Sequence, residues 1–281
     1  MLFIDIIGGK RWSFLSFSIV VFSLGIIFKK RKMQMNQERK GNVRVMRLDK
    51  YLADMSFGTR KEVKLLIRQK RVQINGEIAT SPEYKLNENS DKVVVDGKEV
   101  VYQKFVYYML NKPAGYVSAT RDDINPTVME LIDGRPGKNV FPMGRLDKDT
   151  EGLLILTNDG KLANSLLLPG RHVEKTYYVQ VEGALDEDDV RSFQEGMDIG
   201  DEKPAKPAKL EIIKSDARSE AMVVITEGRY HQVKRMFAKR RKPVLYLKRI
   251  AIGGLKLDDS LKPGEVRTLT AEEVMMLKAK N

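Results

Sequence analysis

One acidic segment of the chain has the residue types and spacing of a reactive centre. Residues 144–160 place three carboxylates, Asp147, Asp149 and Glu151, at alternate positions on a turn bounded by glycine. The apolar residues 153–157 follow and are closed by an Asn-Asp-Gly turn, which predicts a strand. A carboxylate fixed at a strand end loses little freedom in reaching its reactive geometry. The segment is therefore a candidate nucleophile or general base, although acidic residues on turns are more often simply solvated.

Two other kinds of site, a calcium loop and a phosphate loop, contain similar residues, but the spacing in this chain does not match either of them. The Asp-x-Asp-x-Glu-Gly pattern that starts at Asp147 matches the start of a calcium loop, but such a loop needs an acidic ligand at its twelfth position, which is Asn158. Residues 134–138 lack the glycine spacing of a phosphate loop and the Ser or Thr that must follow its lysine. We therefore expect neither a calcium site nor a nucleoside triphosphate site.

The composition limits the cofactors and indicates the kind of partner. The 281 residues contain no cysteine and only two histidines, His172 and His231, which excludes disulfides, thiolate chemistry and cysteine-based zinc sites. We expect no cofactor and no metal, with carboxylate-bound Mg or Ca as the remaining metal option. The formal net charge of +12 and the isoelectric point near 9.6 favour a polyanionic partner, most commonly a nucleic acid.

The first 45 residues differ from the rest of the chain. Residues 14–28 are almost unbroken apolar and have Lys and Arg on both sides. This stretch is shorter than the roughly 20 apolar residues of a membrane-spanning helix, and positive charge at both ends gives no orientation. We interpret residues 1–45 as an extension upstream of a natural start at Met33, Met35 or Met46, with a weak membrane anchor as the alternative.

A small basic module is predicted in residues 46–101. Apolar residues at helical spacing predict two short helices, and Thr59 with Glu62 forms a capping box at the start of the second. Residues 72–78 then have the pattern of a strand, an Asn-Gly turn and a second strand. The second helix carries a stripe of one charge, whereas a merely solvated face normally mixes both signs. The candidate polyanion contacts on and beside this stripe are Arg60, Lys61, Lys64, Arg68 and Arg71.

A second domain is predicted from residue 105 to about residue 278. Its segments read mostly as strands with few long helices between them, which favours a mixed, mostly antiparallel sheet over a doubly wound one. The predicted strands are 106–110, 153–157, 175–181, 210–213 and 221–226. The predicted helices are 127–132, 161–167, 186–195, 231–238 and 271–277. The chain as a whole is thus predicted to be an α+β protein.

A second motif, residues 228–242, combines many cations with two aromatic residues and no acid. Such a composition suits contacts to phosphates together with stacking on bases. The alternative is that the segment only makes the surface soluble. Its candidate nucleic-acid contacts are Arg229, Tyr230, His231, Gln232 and Arg235.

Several of these segments resemble known families. The module, in Met-Arg-Leu-Asp-Lys-Tyr-Leu from Met46 and Ile-Arg-Gln-Lys-Arg-Val-Gln-Ile-Asn-Gly from Ile67, resembles the S4 RNA-binding domain. Residues 141–154, 174–177 and 227–237 resemble the three active-site motifs of ribosomal RNA pseudouridine synthases. Residues 109–117, 125–128 and 206–208 are most similar to the small-subunit branch of that family, called RsuA. Together the resemblance covers residues 46 to about 277.

The resemblance implies an architecture and an activity. An S4-like α/β RNA-binding domain, in which Arg47 and Lys50 join the stripe as RNA contacts, would precede a mixed-sheet pseudouridine synthase domain. The enzyme would isomerise uridine 516 of 16S rRNA without a cofactor. It would act as a cytoplasmic monomer on 16S rRNA or on a small-subunit assembly intermediate. Two other hypotheses stay open: a non-catalytic S4-type assembly factor, and a synthase of the large-subunit branch.

The resemblance also implies residue roles. Asp147 matches the catalytic carboxylate, which acts at ribose C1′ as a nucleophile or on the neighbouring sugar proton. Lys234 matches its ion-pair partner, at a position where other synthase families carry arginine. Tyr177 matches the aromatic residue that stacks on uracil and that could handle the proton of the base, although Tyr178 fits the pattern equally well. Arg145 matches the arginine that fills the gap left by the flipped nucleotide.

The remaining acidic and basic residues of the two motifs have less definite roles. Asp149 and Glu151 are interpreted as scaffold of the turn. The basic run 239–242 is heavier than the family pattern, in which a small residue or glycine is usual. Its effect on substrate contact is left open.

Overall fold

A computed structural model describes residues 45–279 of the chain, apart from residues 89, 135 and 169–171. The predictions made for residues 1–44 fall outside the described residues. Within the described ranges, no helix is long and apolar enough to cross a membrane. The N-terminal module contains β1 (Val45–Arg47), α1 (Leu48–Asp54), α2 (Arg60–Arg68), β2 (Val72–Ile74), β3 (Glu77–Ile78), β4 (Lys85–Asn87), β5 (Val93–Val95) and β6 (Lys98–Val100).

The module folds as its local signals predict. Thr59 Oγ accepts a hydrogen bond from the Glu62 backbone N–H, and the Glu62 carboxylate accepts one from the Thr59 N–H, so the capping box at the start of α2 is confirmed. Asn75, with φ of +53°, turns the β2–β3 hairpin. The strands form an antiparallel sheet in the order β3-β2-β5-β6. Buried residues of α1, α2 and the strands close one core, which includes Leu48, Leu52 and Val63.

The larger domain is built around one mixed sheet. Its strands are β7 (Tyr107–Lys112), β8 (Phe141–Met143), β9 (Glu151–Thr157), β10 (Lys175–Glu182), β11 (Lys209–Lys214), β12 (Arg218–Ile225), β13 (Val244–Ile252), β14 (Leu255–Lys256) and β15 (Val266–Thr268). Its helices are α3 (Gly160–Leu167), α4 (Glu187–Glu195), α5 (Gln232–Lys239) and α6 (Ala271–Lys278).

The sheet has the order β11-β12-β10-β13-β9-β7-β15, with β8 beside β9 and β14 beside β13. Neighbouring strands are antiparallel except for β13 and β9, which are parallel. Side chains alternate across β9. Leu154 and Leu156 join one hydrophobic cluster, and Leu153 and Ile155 join a second cluster on the opposite face. The predicted α+β class with a mostly antiparallel sheet is confirmed.

The parallel junction between β9 and β13 depends on one glycine. Gly152 has φ of +99° and is opposite Arg249 in the register. A Cβ atom at this position would lie 2.2 Å from the Arg249 carbonyl oxygen, far inside van der Waals contact. Only glycine allows the two backbones to approach this closely, and it sits directly after the acidic turn.

Several elements differ from the sequence-based predictions, among them the short strands β8, β14 and β15, which were not predicted. The nine-residue strand β13 was missed, because Arg249 occupies a buried position of its alternation. The predicted helix 127–132 is one turn of 3₁₀ helix, Val128–Leu131, capped by Thr127. Helix α5 begins one residue later than predicted, because His231 has the left-handed φ of +48°.

A buried carboxylate explains part of the heavy basic run that follows α5. Asp189, in the first turn of α4, has a fully buried side chain. It accepts a hydrogen bond from Arg240 Nε at 2.7 Å and another from Lys242 Nζ. Burial alone would raise the pKa of Asp189, but the Lys242 and Arg240 hydrogen bonds outweigh it and leave the pKa below its ordinary value. Two cations of the run therefore tie α5 to α4.

Asp189→Asn should lower the free energy of unfolding by about 3 kcal/mol, because it removes the buried anion that Arg240 and the mostly buried Lys242 share. The pKa of Asp189 is lower in the folded state, so the wild-type advantage should be present above pH 4 and should fade as the pH drops further. Urea unfolding at pH 7 and at pH 3 measures both effects. The control is Asp188→Asn, which removes an exposed carboxylate of the same helix. Equal losses in the two variants would contradict this account.

Candidate active site

The acidic turn is a tightly bonded loop between β8 and β9. The Thr150 N–H donates to the Asp147 carbonyl at 3.1 Å and closes the turn. Ser118 Oγ donates to the Leu146 carbonyl and accepts from the Leu146 N–H, both at 3.0 Å. The Gly115 N–H donates to the Lys148 carbonyl at 2.7 Å. The segment that follows β7 thus holds the turn from outside and restricts the backbone that carries Asp147.

A buried lysine holds the same turn from within. Lys112, at the end of β7, is fully buried. The three N–H donors of its ammonium are shared among four carbonyl oxygens, those of Pro113, Asp147, Lys148 and Thr150, at 2.8 to 3.2 Å. Burial lowers the pKa of Lys112 to about 8, against the opposing effect of the three nearby carboxylates. At pH 7 the Lys112 side chain is therefore mostly protonated, and its ammonium can donate hydrogen bonds to the loop.

Asp147 and Asp149 share one cation. Lys234 Nζ, on α5, lies 3.3 Å from Asp147 Oδ2 and 2.5 Å from Asp149 Oδ1. Burial would raise the pKa of Asp149, but the hydrogen bond and charge of Lys234 outweigh it and lower the pKa. His231 Nε2 lies 3.6 Å from the other oxygen of Asp147. The structure thus brings Asp147 and Lys234 together, and it also gives Asp149 a contact with Lys234 that sequence reasoning did not foresee.

The two neighbouring tyrosines of β10 point to opposite sides. Tyr177 is buried and lines the cleft above Asp147. Tyr178 donates its hydroxyl hydrogen to Glu220 at 2.6 Å and accepts one from Gln180 at 2.9 Å, on the other face of the sheet. Strand alternation therefore separates two residues that the sequence pattern could not distinguish.

Asp147 and Tyr177 lie in a cleft of about 890 Å³ at the junction of β9, β10 and β13. Its walls include two acidic side chains, those of Asp147 and Glu227. The basic residues of the walls are more numerous: Arg145, Lys148, Lys175, Lys206, Arg229, Lys234 and Arg249. Arg145 is exposed at the lip. A concave site in which cations outnumber anions concentrates polyanions, which suits a nucleic acid.

The segment that leads into α5 is organised by a buried carboxylate. One oxygen of Glu227 accepts from the Lys206 N–H and from Gln232 Nε2, both at 2.9 Å. The other oxygen accepts from Arg229 Nε and Nη2 at 3.2 and 3.1 Å. Arg229 and Gln232 were predicted to contact RNA. In the structure their polar groups bond Glu227 and shape the turn.

The other predicted contacts of this segment divide into two kinds. Arg235 makes a bidentate ion pair with Asp201 at 2.7 and 3.0 Å. Its guanidinium therefore stabilises the fold, as that of Arg229 does. Tyr230, in contrast, is 75% exposed and stacks on His231 with ring centroids 3.8 Å apart. Tyr230 and His231 are therefore the residues of the segment that present rings at the mouth of the cleft.

Among the described residues, the predicted RNA contacts of the N-terminal module also divide into cations with and without a carboxylate partner. All seven predicted contacts are exposed: Arg47, Lys50, Arg60, Lys61, Lys64, Arg68 and Arg71. Two of them also have carboxylate partners. Arg71 makes a bidentate pair with Asp96 at 2.6 and 2.7 Å. Arg47 pairs with the buried Asp49 at 2.9 and 3.0 Å. The helix α2 thus supplies the cations best placed for phosphate contacts.

Sequence reasoning missed three residues that shape the site. Lys112 lies in one of the segments that carry the resemblance, and its sequence signal is a lysine at the end of a mostly apolar strand. Glu227 has no sequence signal of its own, because its bonds to Arg229, Gln232 and the distant Lys206 appear only in the folded chain. Arg249 is almost fully buried beside the cleft, with Nε donating to the Leu153 carbonyl at 2.9 Å and with Nη2 unpaired among the described residues. A buried arginine on a central strand has no sequence signature.

Among the described residues, no group of three or more His, Asp or Glu side chains is arranged to hold a metal ion. Glu151, the third carboxylate of the turn, accepts the Tyr246 hydroxyl hydrogen at 2.7 Å. This bond links the start of β9 to β13.

A chain in which a carboxylate paired with a lysine lies in a basic cleft has the features of an enzyme acting on RNA, and comparisons with known proteins give the same class. Residues 106–239 match the RNA pseudouridylate synthase family, and residues 46–92 match the S4 domain. The uncharacterized RNA pseudouridine synthase YtzG of Bacillus subtilis is 44% identical over 234 residues, which are 83% of this chain and 98% of YtzG.

Two further relatives agree. Ribosomal small subunit pseudouridine synthase A of Escherichia coli K12 is 42% identical over 82% of this chain and 98% of its own length. A crystal structure of a pseudouridylate synthase is 39% identical over 83% of this chain and 99% of that one, with a TM-score of 0.58. The chain belongs to the RNA pseudouridine synthase family, with an N-terminal S4 domain, and is an isomerase.

Lys112→Met should remove the ammonium that holds the acidic turn, while the methionine side chain still fills the space of the lysine. Four carbonyl oxygens would lose their shared donor, so we expect a loss of about 3 kcal/mol in the free energy of unfolding. A displaced Asp147 should slow single-turnover pseudouridine formation by about 100-fold. Lys161→Met, at an exposed position of α3, is the control and should match wild type. A wild-type rate in the folded Lys112→Met protein would show that the turn does not need this ammonium.

Proposed function

We propose that this protein converts a specific uridine of small-subunit ribosomal RNA, of the uridine 516 type in 16S rRNA, to pseudouridine. The proposal is supported by relatives named as small-subunit synthases and by the similarity of residues 109–117, 125–128 and 206–208 to that branch. The S4 domain docks the rRNA. The substrate is 16S rRNA or a small-subunit assembly intermediate, and the protein acts as a monomer in the cytoplasm.

The observation that carries the chemical part of the proposal is the ion pair of Asp147 with Lys234 in a cation-lined cleft. Formation of pseudouridine breaks the bond between C1′ and N1, turns the uracil and joins C1′ to C5, without any redox change. Asp147 acts at the sugar, either by attacking C1′ or by removing the neighbouring sugar proton. Lys234 balances the charge of the carboxylate.

The other cleft residues bind and orient the nucleotide. Tyr177 stacks on the uracil from the wall of the cleft. Arg145 stands at the lip and fills the gap that the flipped nucleotide leaves in the RNA stack. Flipping is required because the bond between C1′ and N1 is inaccessible in a stacked helix. Tyr230 and His231 meet the RNA beside the cleft.

Asp147→Asn should abolish release of tritium from 5-labelled uridine in 16S rRNA. Asp149→Asn, which removes the neighbouring partner of Lys234, should keep measurable release, since its carboxylate does not face the sugar in the proposed mechanism. The same assay on 23S rRNA should give no release with any variant. Equal release by wild type and Asp147→Asn would remove Asp147 from the mechanism, and release from 23S rRNA alone would assign the protein to the large-subunit branch.

The double substitution Lys64→Ala with Arg68→Ala should weaken RNA binding and lower the slope of log K against log salt by about 2, because two phosphate contacts are lost. The rate at saturating enzyme should stay unchanged. Lys209→Ala with Lys214→Ala removes two exposed cations from β11 and serves as the charge-matched control. A large loss of the saturated rate would contradict this division between docking and chemistry.

A further inference from the structure

An imidazole lies against the proposed catalytic carboxylate. His231 Nε2 is 3.6 Å from Asp147 Oδ1, while Lys234 Nζ is 3.3 Å from Asp147 Oδ2. The two oxygens of Asp147 thus face two different nitrogen groups, an imidazole and an ammonium. His231 also lines the cleft and is partly exposed to it. The imidazole can therefore reach a group bound at Asp147.

The position of this imidazole is set by an unusual backbone conformation. His231 has φ of +48°, in the left-handed region that a non-glycine residue rarely adopts. Gln232 fixes the conformation: its side-chain oxygen accepts from the Arg229 N–H at 3.0 Å, and its own N–H donates to the Arg229 carbonyl at 3.2 Å. Tyr230 then stacks on the imidazole with an interplanar angle of 17°. Backbone and ring contacts together aim the imidazole towards Asp147.

The isomerisation needs a proton acceptor near that point. When C1′ joins C5, the C5 atom still carries its hydrogen, and this proton must leave to restore the double bond of the ring. C5 is by then bonded to C1′, the sugar carbon next to which Asp147 acts. The acceptor must therefore stand within a few ångströms of Asp147 and must be able to take up a proton at neutral pH.

The other polar groups around the carboxylate are poorly suited to this task. Lys234 is a cation held by two carboxylates. Glu227 uses both oxygens to accept hydrogen bonds from the protein. Tyr177 offers a phenol, which is a weak acceptor near pH 7. The second histidine of the chain, His172, contacts Lys206 at 3.2 Å. Imidazole is the side chain whose chemistry fits proton uptake at neutral pH.

We propose that His231 is the base that removes the C5 proton; this rests on the proposed role of Asp147. The bond between C5 and hydrogen breaks, its electron pair restores the double bond between C5 and C6, and Nε2 takes the proton. N1 keeps the electron pair of the broken glycosidic bond and takes a proton from water. His231 then releases its proton to solvent, so the step is balanced without an oxidant or a cofactor.

The test is single-turnover kinetics with 16S rRNA fragments that carry either 5-protio or 5-deuterio uridine. His231→Gln keeps a polar side chain of similar reach but cannot take up a proton. It should slow the saturated rate by about 100-fold. It should also show a larger primary deuterium isotope effect than wild type, because removal of the C5 proton becomes rate-limiting. His172→Gln is the matched control and should keep both values.

A second variant protects the test against misfolding. His231→Ala leaves space beside Asp147, and added imidazole should restore part of its rate, which a purely structural role would not allow. An isotope effect equal to that of wild type in His231→Gln, together with no rescue of His231→Ala, would overturn the proposal. Failure of the Asp147 assignment is separate, since Asp147→Asn would then keep its tritium release whatever His231 does.

Discussion

The close approach of Gly152 to Arg249 is the constraint on which the rest of the active domain depends. It is the point where β9 and β13 run parallel, and it joins two groups of otherwise antiparallel strands. Because β13 also pairs with β10, this contact places the turn before β9 beside Tyr177. Because α5 leads into β13, the same contact brings Lys234 to Asp147. A side chain at position 152 would therefore separate the reactive carboxylate from both of its partners.

The cost of this arrangement is the burial of charge. Lys112 and Arg249 are cations with little or no exposure, and desolvation disfavours each of them. For Lys112 the penalty is offset by four carbonyl oxygens and by the carboxylates of the turn, so that its pKa of about 8 still leaves it charged at neutral pH. The charge in turn limits the conformations open to the loop. A neutral residue in its place would fill the same space but would take this donor away from all four carbonyl oxygens.

The sequence was a good guide where a feature is local. The capping box at Thr59 and the Asn-Gly hairpin turn depend on residues three or fewer apart, and both form as predicted. Features that depend on distant partners could not be read in this way. Arg235 is neutralised by Asp201, which is 34 residues away in the chain. The strand β13 was missed because Arg249 occupies a buried position at which strand patterns lead one to expect an apolar residue.

The candidate site shows the same division between local and distant information. The spacing of the acidic turn marked Asp147 only as one of three candidate carboxylates. Its grouping with Lys234 and Tyr177 came from resemblance, because nothing in their spacing brings three separate segments together. Their actual contacts added what resemblance lacked, namely that Lys234 serves two carboxylates and that Tyr177 rather than Tyr178 lines the cleft.

The distribution of paired and exposed cations follows from what each must do. A cation that shapes a site has to keep one position, and a fixed carboxylate or carbonyl partner provides this, as Asp201 does for Arg235 and Glu227 does for Arg229. A cation that docks RNA has to exchange solvent ions for phosphates, which requires that it remain exposed. The exposed stripe of α2 meets this second requirement. The high net charge of the chain therefore serves two physically different purposes, and only the exposed part should depend strongly on salt.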